Sequence, residues 1–382
     1  MNRKFLALSA VALTTLLLNS CDKNVDKAPP PTPLSPTVVA SVSGKITDDQ
    51  GQPLAGATVK AGTTVATTDA NGAFRLADAT LARVAGAITV EKAGFLPGKR
   101  AFAVWPSNEN YVNLQLIKKA AAVTFAANAG YTFTFSNGYT LNFAPNTLFN
   151  SATGVAYTGT VTLVAQLIDT KSASFINNIP GSLMGVDRAG TGIYGIYPTS
   201  MVYLSVTGSQ GEKLISGSDN AATFNLPIPP AEFYDVPAVY TMSLLNDSTG
   251  LWEEAGVAVK NIDGSKYIGK ATRFNYLSFT TNFPATQYQA LIRYQEGTDA
   301  NPTFSPVPNA TSIITYTEEG TNGITNSAIS YADNLGNLKT ILPVRRPASL
   351  KIWSKTGTLL VDKTIGPFYT YVPTIDTMNI KK

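Results

Sequence analysis

From Val38 to the end of the chain, apolar and polar residues alternate in short runs set apart by clusters of Gly, Pro, Asn and Asp. Side chains along a strand point alternately to its two faces, so each run predicts a strand with one buried and one solvated face. Val42-Ser43-Gly44-Lys45-Ile46-Thr47 and Leu350-Lys351-Ile352-Trp353 are of this kind. No stretch keeps a helical period for more than about two turns. So many short strands with turn signals between them predict an all-β fold of tandem β-sandwiches.

One hairpin can be registered residue by residue. In Tyr131-Thr132-Phe133-Thr134-Phe135-Ser136-Asn137-Gly138-Tyr139-Thr140-Leu141-Asn142-Phe143, a two-residue Asn137-Gly138 loop would set the two apolar rows on opposite faces. A three-residue Ser136-Asn137-Gly138 loop instead pairs Phe135 with Tyr139, Phe133 with Leu141 and Tyr131 with Phe143. All six then share one buried face, with Gly138 in the left-handed bulge position. The three-residue loop is the expectation.

A chain of 382 residues predicts two or three domains at roughly 150 residues each. The pattern divides at residues 1–20, 21–37, 38–118, 119–283 and 284–382, the last three being β units. Trp105, Trp252 and Trp353 fall one to each unit, as expected if every core holds one bulky residue. From Ala120 to Ile168 no residue is charged. Asn, Thr, Gly and Ser recur there and break any apolar window of about 18 residues, so a membrane segment is not expected. Asp-x-x-Gly followed by an apolar residue two positions on recurs at Asp69, Asp247 and Asp333. Asp first and Gly fourth suit a type I turn, which explains the recurrence without common ancestry.

The amino-terminal segment has a different pattern. Arg3 and Lys4 precede an apolar run from Phe5 to Leu18, which is a secretory signal layout and falls short of the about 20 residues a mature spanning helix needs. The run ends in Leu18-Asn19-Ser20-Cys21, and a Pro-rich stretch from Ala28 to Pro36 follows, suited to an extended spacer. Leu18-Asn19-Ser20-Cys21 resembles the lipobox of bacterial lipoproteins. The resemblance implies cleavage before Cys21 and acylation of its sulfur and new amino terminus. The mature chain would be 21–382, with 21–37 as lipidated Cys and linker, and loss of Arg3 and Lys4 brings it nearer to neutrality. The anchor would place the protein at a bacterial outer membrane, on either face.

Two further resemblances concern the β units. Gly44-Lys45-Ile46-Thr47-Asp48, Pro53-Leu54-Ala55-Gly56-Ala57-Thr58-Val59, Thr68-Asp69-Ala70-Asn71-Gly72-Ala73-Phe74 and Lys92-Ala93-Gly94-Phe95 together resemble the carboxypeptidase regulatory-like domain. That implies a transthyretin-like sandwich; the zinc chemistry of carboxypeptidases lies in a separate domain. Phe224-Asn225-Leu226-Pro227-Ile228-Pro229, Thr249-Gly250-Leu251-Trp252-Glu253-Glu254 and Gly269-Lys270-Ala271-Thr272-Arg273-Phe274-Asn275-Tyr276-Leu277-Ser278-Phe279 are similar to a β-rich region of cartilage intermediate layer proteins and of Bacteroidetes-type envelope proteins. Relatives end that region in His-Phe-Ser-x-Trp, which this chain lacks. No catalytic centre is implied. Residues 284–382 are expected to form a second transthyretin-like sandwich.

Composition narrows the chemistry. The chain has no His and one Cys, which removes Ser-His-Asp and Cys-His nucleophile systems, His-ligated metals and any intramolecular disulfide. A net charge of +4 on a chain that is 14% charged is too weak a field for nucleic acid. Adjacent carboxylates occur at Asp48/Asp49, Glu253/Glu254 and Glu318/Glu319, but neighbours on a strand face opposite ways and those in turns are solvated. Asp69 and Asn71 lack the further acids of an EF-hand-type calcium loop. No enzyme activity, metal or cofactor is therefore expected. Tyr194 and Tyr197, in a Gly/Pro-rich segment, are the candidate ligand-binding residues, able to stack on sugar rings if they are not core. The expected function is a lipid-anchored, non-catalytic binding or scaffolding module of the envelope, with envelope proteins or glycans as partners. The alternative is a carbohydrate-binding accessory lipoprotein of a polysaccharide-uptake system.

Overall fold

The computed structural model describes residues 36–186, 193–232, 234–317, 325–369 and 374–381. Residues 1–35, with Cys21 and nearly all of the Pro-rich stretch, lie outside these residues, as do Glu318 and Glu319. The fold is all-β; a single turn of α-helix, Phe175–Asn178, and a 3-10 turn, Pro230–Glu232, are its helical pieces among the described residues. None is long or apolar enough to cross a membrane.

The first unit is a sandwich of two four-stranded sheets. In one, the strand Thr37–Thr47 lies between the antiparallel Ala73–Ala82 and the parallel Glu109–Tyr111. In the other, Thr58–Ala61 lies between Thr64–Thr67 and Gly86–Glu91, and Gly98–Phe102 closes the edge. Val42, Ile46, Val59, Leu76, Ile88 and Val90 fill the space between them and are fully buried. Their alternation with Ser43, Lys45 and Thr89 is the period-two pattern seen in the sequence.

The middle unit is one long sheet rolled around a core. Its path runs from Tyr131–Thr134 through Thr140–Phe143, Ala222–Pro227, Lys266–Ala271, Trp252–Lys260, Val239–Leu245, Tyr276–Thr298, Ile193–Thr207 and Thr160–Ile168 to Val123–Ala126. The two ends of the path come together: Phe125 stacks on Tyr131 with ring centroids 5.0 Å apart. The enclosed core includes Phe143, Val161, Phe224, Leu277 and Phe279, the last two at 0% exposure. The Tyr131 hairpin adopts the three-residue loop. Tyr131 pairs with Phe143 and Phe133 with Leu141, Phe135 N–H donates to Tyr139 O at 2.8 Å, and Gly138 has φ +82°. Tyr131, Phe133, Phe135, Tyr139, Leu141 and Phe143 all join this core.

The strand Tyr276–Thr298 does not stop at residue 283. Its first half pairs in the middle unit, and its second half pairs with Asn301–Pro306, Asn337–Pro343 and, in parallel, Thr374–Lys381. A second sheet, Thr325–Tyr331, Thr311–Thr317, Ala348–Trp353 and Leu359–Ile365, covers this half. Tyr288, Ile292, Ile314, Leu338 and Leu350 pack between the two sheets. The passage from one core to the next therefore occurs within a continuous strand.

The expectation of one tryptophan per core holds only for Trp252, which is fully buried and donates Nε1–H to Ser182 O at 2.8 Å. Trp105 lies in a loop, its backbone held by Asn110, with Lys339 Nζ 5.5 Å from its ring centre, and Trp353 is half-buried. Small β-sandwich cores filled by aliphatic side chains have no need of an indole.

Candidate functional site

Pro198 sits inside the strand Ile193–Thr207 and has no N–H to donate, and the pairing with Tyr276–Thr298 slips between Pro198 and Ser200. The extra residue, Thr199, donates Oγ1–H to Phe279 O at 2.8 Å and accepts from Thr170 Oγ1 at 3.3 Å through its own carbonyl. This bulge opens a groove of about 930 Å³ between it, the 170–176 loop, the Leu226–Pro229 segment and the third unit at Ile313. Tyr139, Tyr197, Tyr240, Tyr267 and Phe279 line it. The Tyr240 and Tyr267 rings lie 4.8 Å apart, tilted by 54°, and Tyr267 O–H donates to Pro237 O. Burial pushes the Tyr139 phenol above its ordinary pKa; a hydrogen bond with Ser200 works against this, and the Glu232 charge adds to it. Among the described residues lining the groove, Glu232 is the one carboxylate and Lys171 the one ammonium.

Such a site can hold a ligand through apolar faces and hydroxyls. Glycosidase chemistry takes two carboxylates flanking the bond, and the described walls supply one. No group of three or more Cys, Asp or Glu side chains stands together as a metal site among the described residues.

Tyr197 and Tyr194 are not brought together. Three positions apart on one strand, they point to opposite faces. Tyr197 lies at the groove and packs into the third unit's core at 8% exposure. Tyr194 packs on the other face beside Ile196, Trp252 and Tyr276, its ring over Gly185, where a Cβ would come within 2.2 Å of it. Tyr139, Tyr240 and Tyr267 were not read from the sequence as ligand-binding residues; Tyr139 stood there as one of the hairpin's buried-face residues. Tyr139 stands just before the strand Thr140–Phe143, and Tyr240 and Tyr267 lie on two other strands; period-two reading gives each only as a residue of a strand face.

The adjacent carboxylates behave as strand and turn residues. Asp48 Oδ1 accepts from the N–H groups of Gln50 and Gln52. Glu253 accepts from Asn246 Nδ2, whereas Glu254 lies on the other face toward Asn282. Asp69 and Asp333 share one turn, each Oδ1 accepting two backbone N–H groups. At the third occurrence the turn is framed one residue earlier, by Asn246. Asp247 is thereby released to face Lys99 and Lys213, each at 3.8 Å.

No curated protein matches the chain. Among solved structures, the Bacillus anthracis TIE protein is 11% identical, with 90% of this chain and 51% of that chain covered and a TM-score of 0.19. This chain thus spans about half the length of that protein. A putative membrane-associated protein of unknown function from Bacteroides fragilis is 10% identical over 64% of this chain and 99% of that one, at a TM-score of 0.18. The major pilin subunit BcpA of Bacillus cereus is 10% identical over 90% and 99%, at 0.16. None of these overlaps is close enough to assign a role. Residues 41–117, the stretch whose turns and strands form the first sandwich, match the family model of the carboxypeptidase regulatory-like domain, and the first unit of this chain is such a domain.

Proposed function

We propose that this chain is a lipid-anchored, non-catalytic binding module of the bacterial outer membrane, and that the tyrosine-lined groove holds an oligosaccharide. The groove carries the reading: its volume is in the range of ligand sites, and the half-buried Tyr139 and Tyr240, with hydroxyl and amide neighbours, suit the apolar face and polar rim of a sugar ring. A single acid in its described walls favours binding over hydrolysis. The anchor rests on the Leu18-Asn19-Ser20-Cys21 sequence alone. Acyl chains on Cys21 would attach the protein with about 0.8 kcal/mol per buried CH₂ and need no basic face.

A glycan array and affinity gels with the soluble mature chain test the groove. Retention by at least one polysaccharide is expected. Tyr139→Ala and Tyr240→Ala should each weaken it about tenfold, the equivalent of about 1.4 kcal/mol of ring contact. Absence of retention on every polysaccharide would sink the sugar reading. For the anchor, Cys21→Ser should abolish acyl labelling and release the protein from the membrane fraction. Unchanged fractionation would refute it.

A further inference from the structure

A second cavity lies where the three units meet, and its chemistry differs from that of the groove. Arg100, on the edge strand Gly98–Phe102 of the first unit, is buried to 3% exposure. Its Nη2 donates to Asn177 O of the middle unit at 2.7 Å, and its Nε has no hydrogen-bond partner. No carboxylate lies within ion-pair distance of it among the described residues. A guanidinium cannot shed its proton, so this charge stays buried. Burying an unpaired charge is costly unless something of opposite sign lies beside it.

The cavity beside the guanidinium has about 70 Å³ of room, several times what one water requires. Besides Arg100 it is lined by Ser182 from the middle unit and by Ser330, Tyr331, Asp333 and Lys339 from the last. None of these neutralises the arginine. Asp333 spends both oxygens elsewhere, Oδ1 on the N–H groups of Leu335 and Asn337 and Oδ2 on the side-chain amides of Asn108 and Asn337. Tyr331 donates its hydroxyl to Asn113 O at 3.3 Å, and burial raises its phenol above the ordinary range, so it stays neutral. Lys339 adds a second positive charge, lying over Trp105. With two cations and one fully committed carboxylate among its lining residues, the wall carries a net positive charge.

We propose that this cavity binds a small oxyanion, with the Arg100 guanidinium as its principal donor. Planar or tetrahedral oxyanions match the arginine fork, and the Ser182 and Ser330 hydroxyls offer further hydrogen bonds. Because its walls come from all three units, the bound anion ties the regulatory-like domain to the rest of the molecule.

The test titrates the soluble mature chain with sodium formate, acetate and phosphate at constant ionic strength, followed by calorimetry and by melting temperature. Saturable binding of at least one of them is expected, with a melting temperature that rises as the site fills. Arg100→Gln should weaken that binding at least tenfold. Arg100→Met, which keeps the stem and removes the charge, should melt no lower than the parent in oxyanion-free buffer and lose the anion-dependent rise. Failure of all three anions to saturate, or binding unchanged in both variants, overturns the proposal. Should neither variant fold, crystals of the parent grown with selenate decide it: a selenium anomalous peak beside Arg100 supports the site and an empty cavity overturns it. Sugar retention by the tyrosine groove is expected to survive both substitutions, which separates the two sites.

Discussion

Tyr276 shows how one side chain reports on two units. Its ring lies in the middle unit against Tyr203 at 4.8 Å, and its hydroxyl donates to Pro97 O of the regulatory-like domain at 3.0 Å. Burial drives its phenol well above the ordinary value, and the Tyr203 phenol adds to that. Tyr288 is likewise raised, by burial first and then by its hydrogen bond and proximity to Asp376. Above about pH 10 the unfolded chain gives up these protons while the folded chain keeps them. The stability they contribute is whole below that pH and is lost as pH rises further, by up to about 1.4 kcal/mol per pH unit for each fully shifted group. Urea unfolding followed from pH 8 upward should therefore show stability falling from about pH 10. Tyr276→Phe should flatten that decline and cost about 1 kcal/mol at neutral pH, the net worth of one hydrogen bond. An alkaline slope unchanged in Tyr276→Phe would rule the assignment out.

At the scale of elements, the strand Tyr276–Thr298 matters most, because it belongs to two cores. Phe279, fully buried, packs edge-on to Phe224 at 5.4 Å in the middle unit, while Tyr288 and Ile292 serve the next core along the same strand. A strand cannot lose its pairing on one half and hold its alignment on the other without cost, so the two units should unfold together. Phe279→Ala is expected to cost about 3–5 kcal/mol through the cavity it leaves. That loss should lower the denaturant midpoint of the last unit as well as the middle one. Two well-separated transitions, with the last unit's unmoved, would show the units to be independent. The hairpin at Tyr131 was legible beforehand because its register follows from local rules: only one loop length puts both apolar rows on one side. The shared strand was not, since nothing in an alternating run says which core its residues serve.

For the molecule as a whole, the question is how the regulatory-like domain is held. Its edge strand places Lys99 and Arg100 side by side, both nearly buried, and Lys99 reaches Asp247. Gly181 N–H donates to Lys99 O at 2.8 Å, and Ala101 N–H donates to Gly181 O at 3.1 Å. Gly181 has φ +72°, and a Cβ there would stand 2.3 Å from Gly250 O. Gly181→Ala should therefore loosen this seam by more than about 1 kcal/mol. Trypsin, which cuts after Lys and Arg, should then cleave at Lys99 and Arg100 at least about fivefold faster than in the parent, since cleavage follows the population of opened molecules. Equal cleavage rates would mean that the seam does not depend on Gly181.

Several properties were set by the sequence alone. Period-two alternation with punctuating turns determines strands and their buried faces, because each side chain's direction follows from its neighbours. The absence of His determines which chemistries are out of reach, and the Leu18-Asn19-Ser20-Cys21 ending determines the expectation of an anchor. Tyr194 and Tyr197 were read together from their Gly/Pro-rich segment, and only the strand Ile193–Thr207 sets them on opposite faces. What only the tertiary structure decided is the grouping of distant residues. The groove gathers tyrosines from positions 139, 197, 240 and 267, and the junction cavity sets Arg100 beside Tyr331 and Lys339. Pairing between strands far apart in the chain makes those neighbours. It depends on how whole sheets roll and dock, which local alternation does not encode.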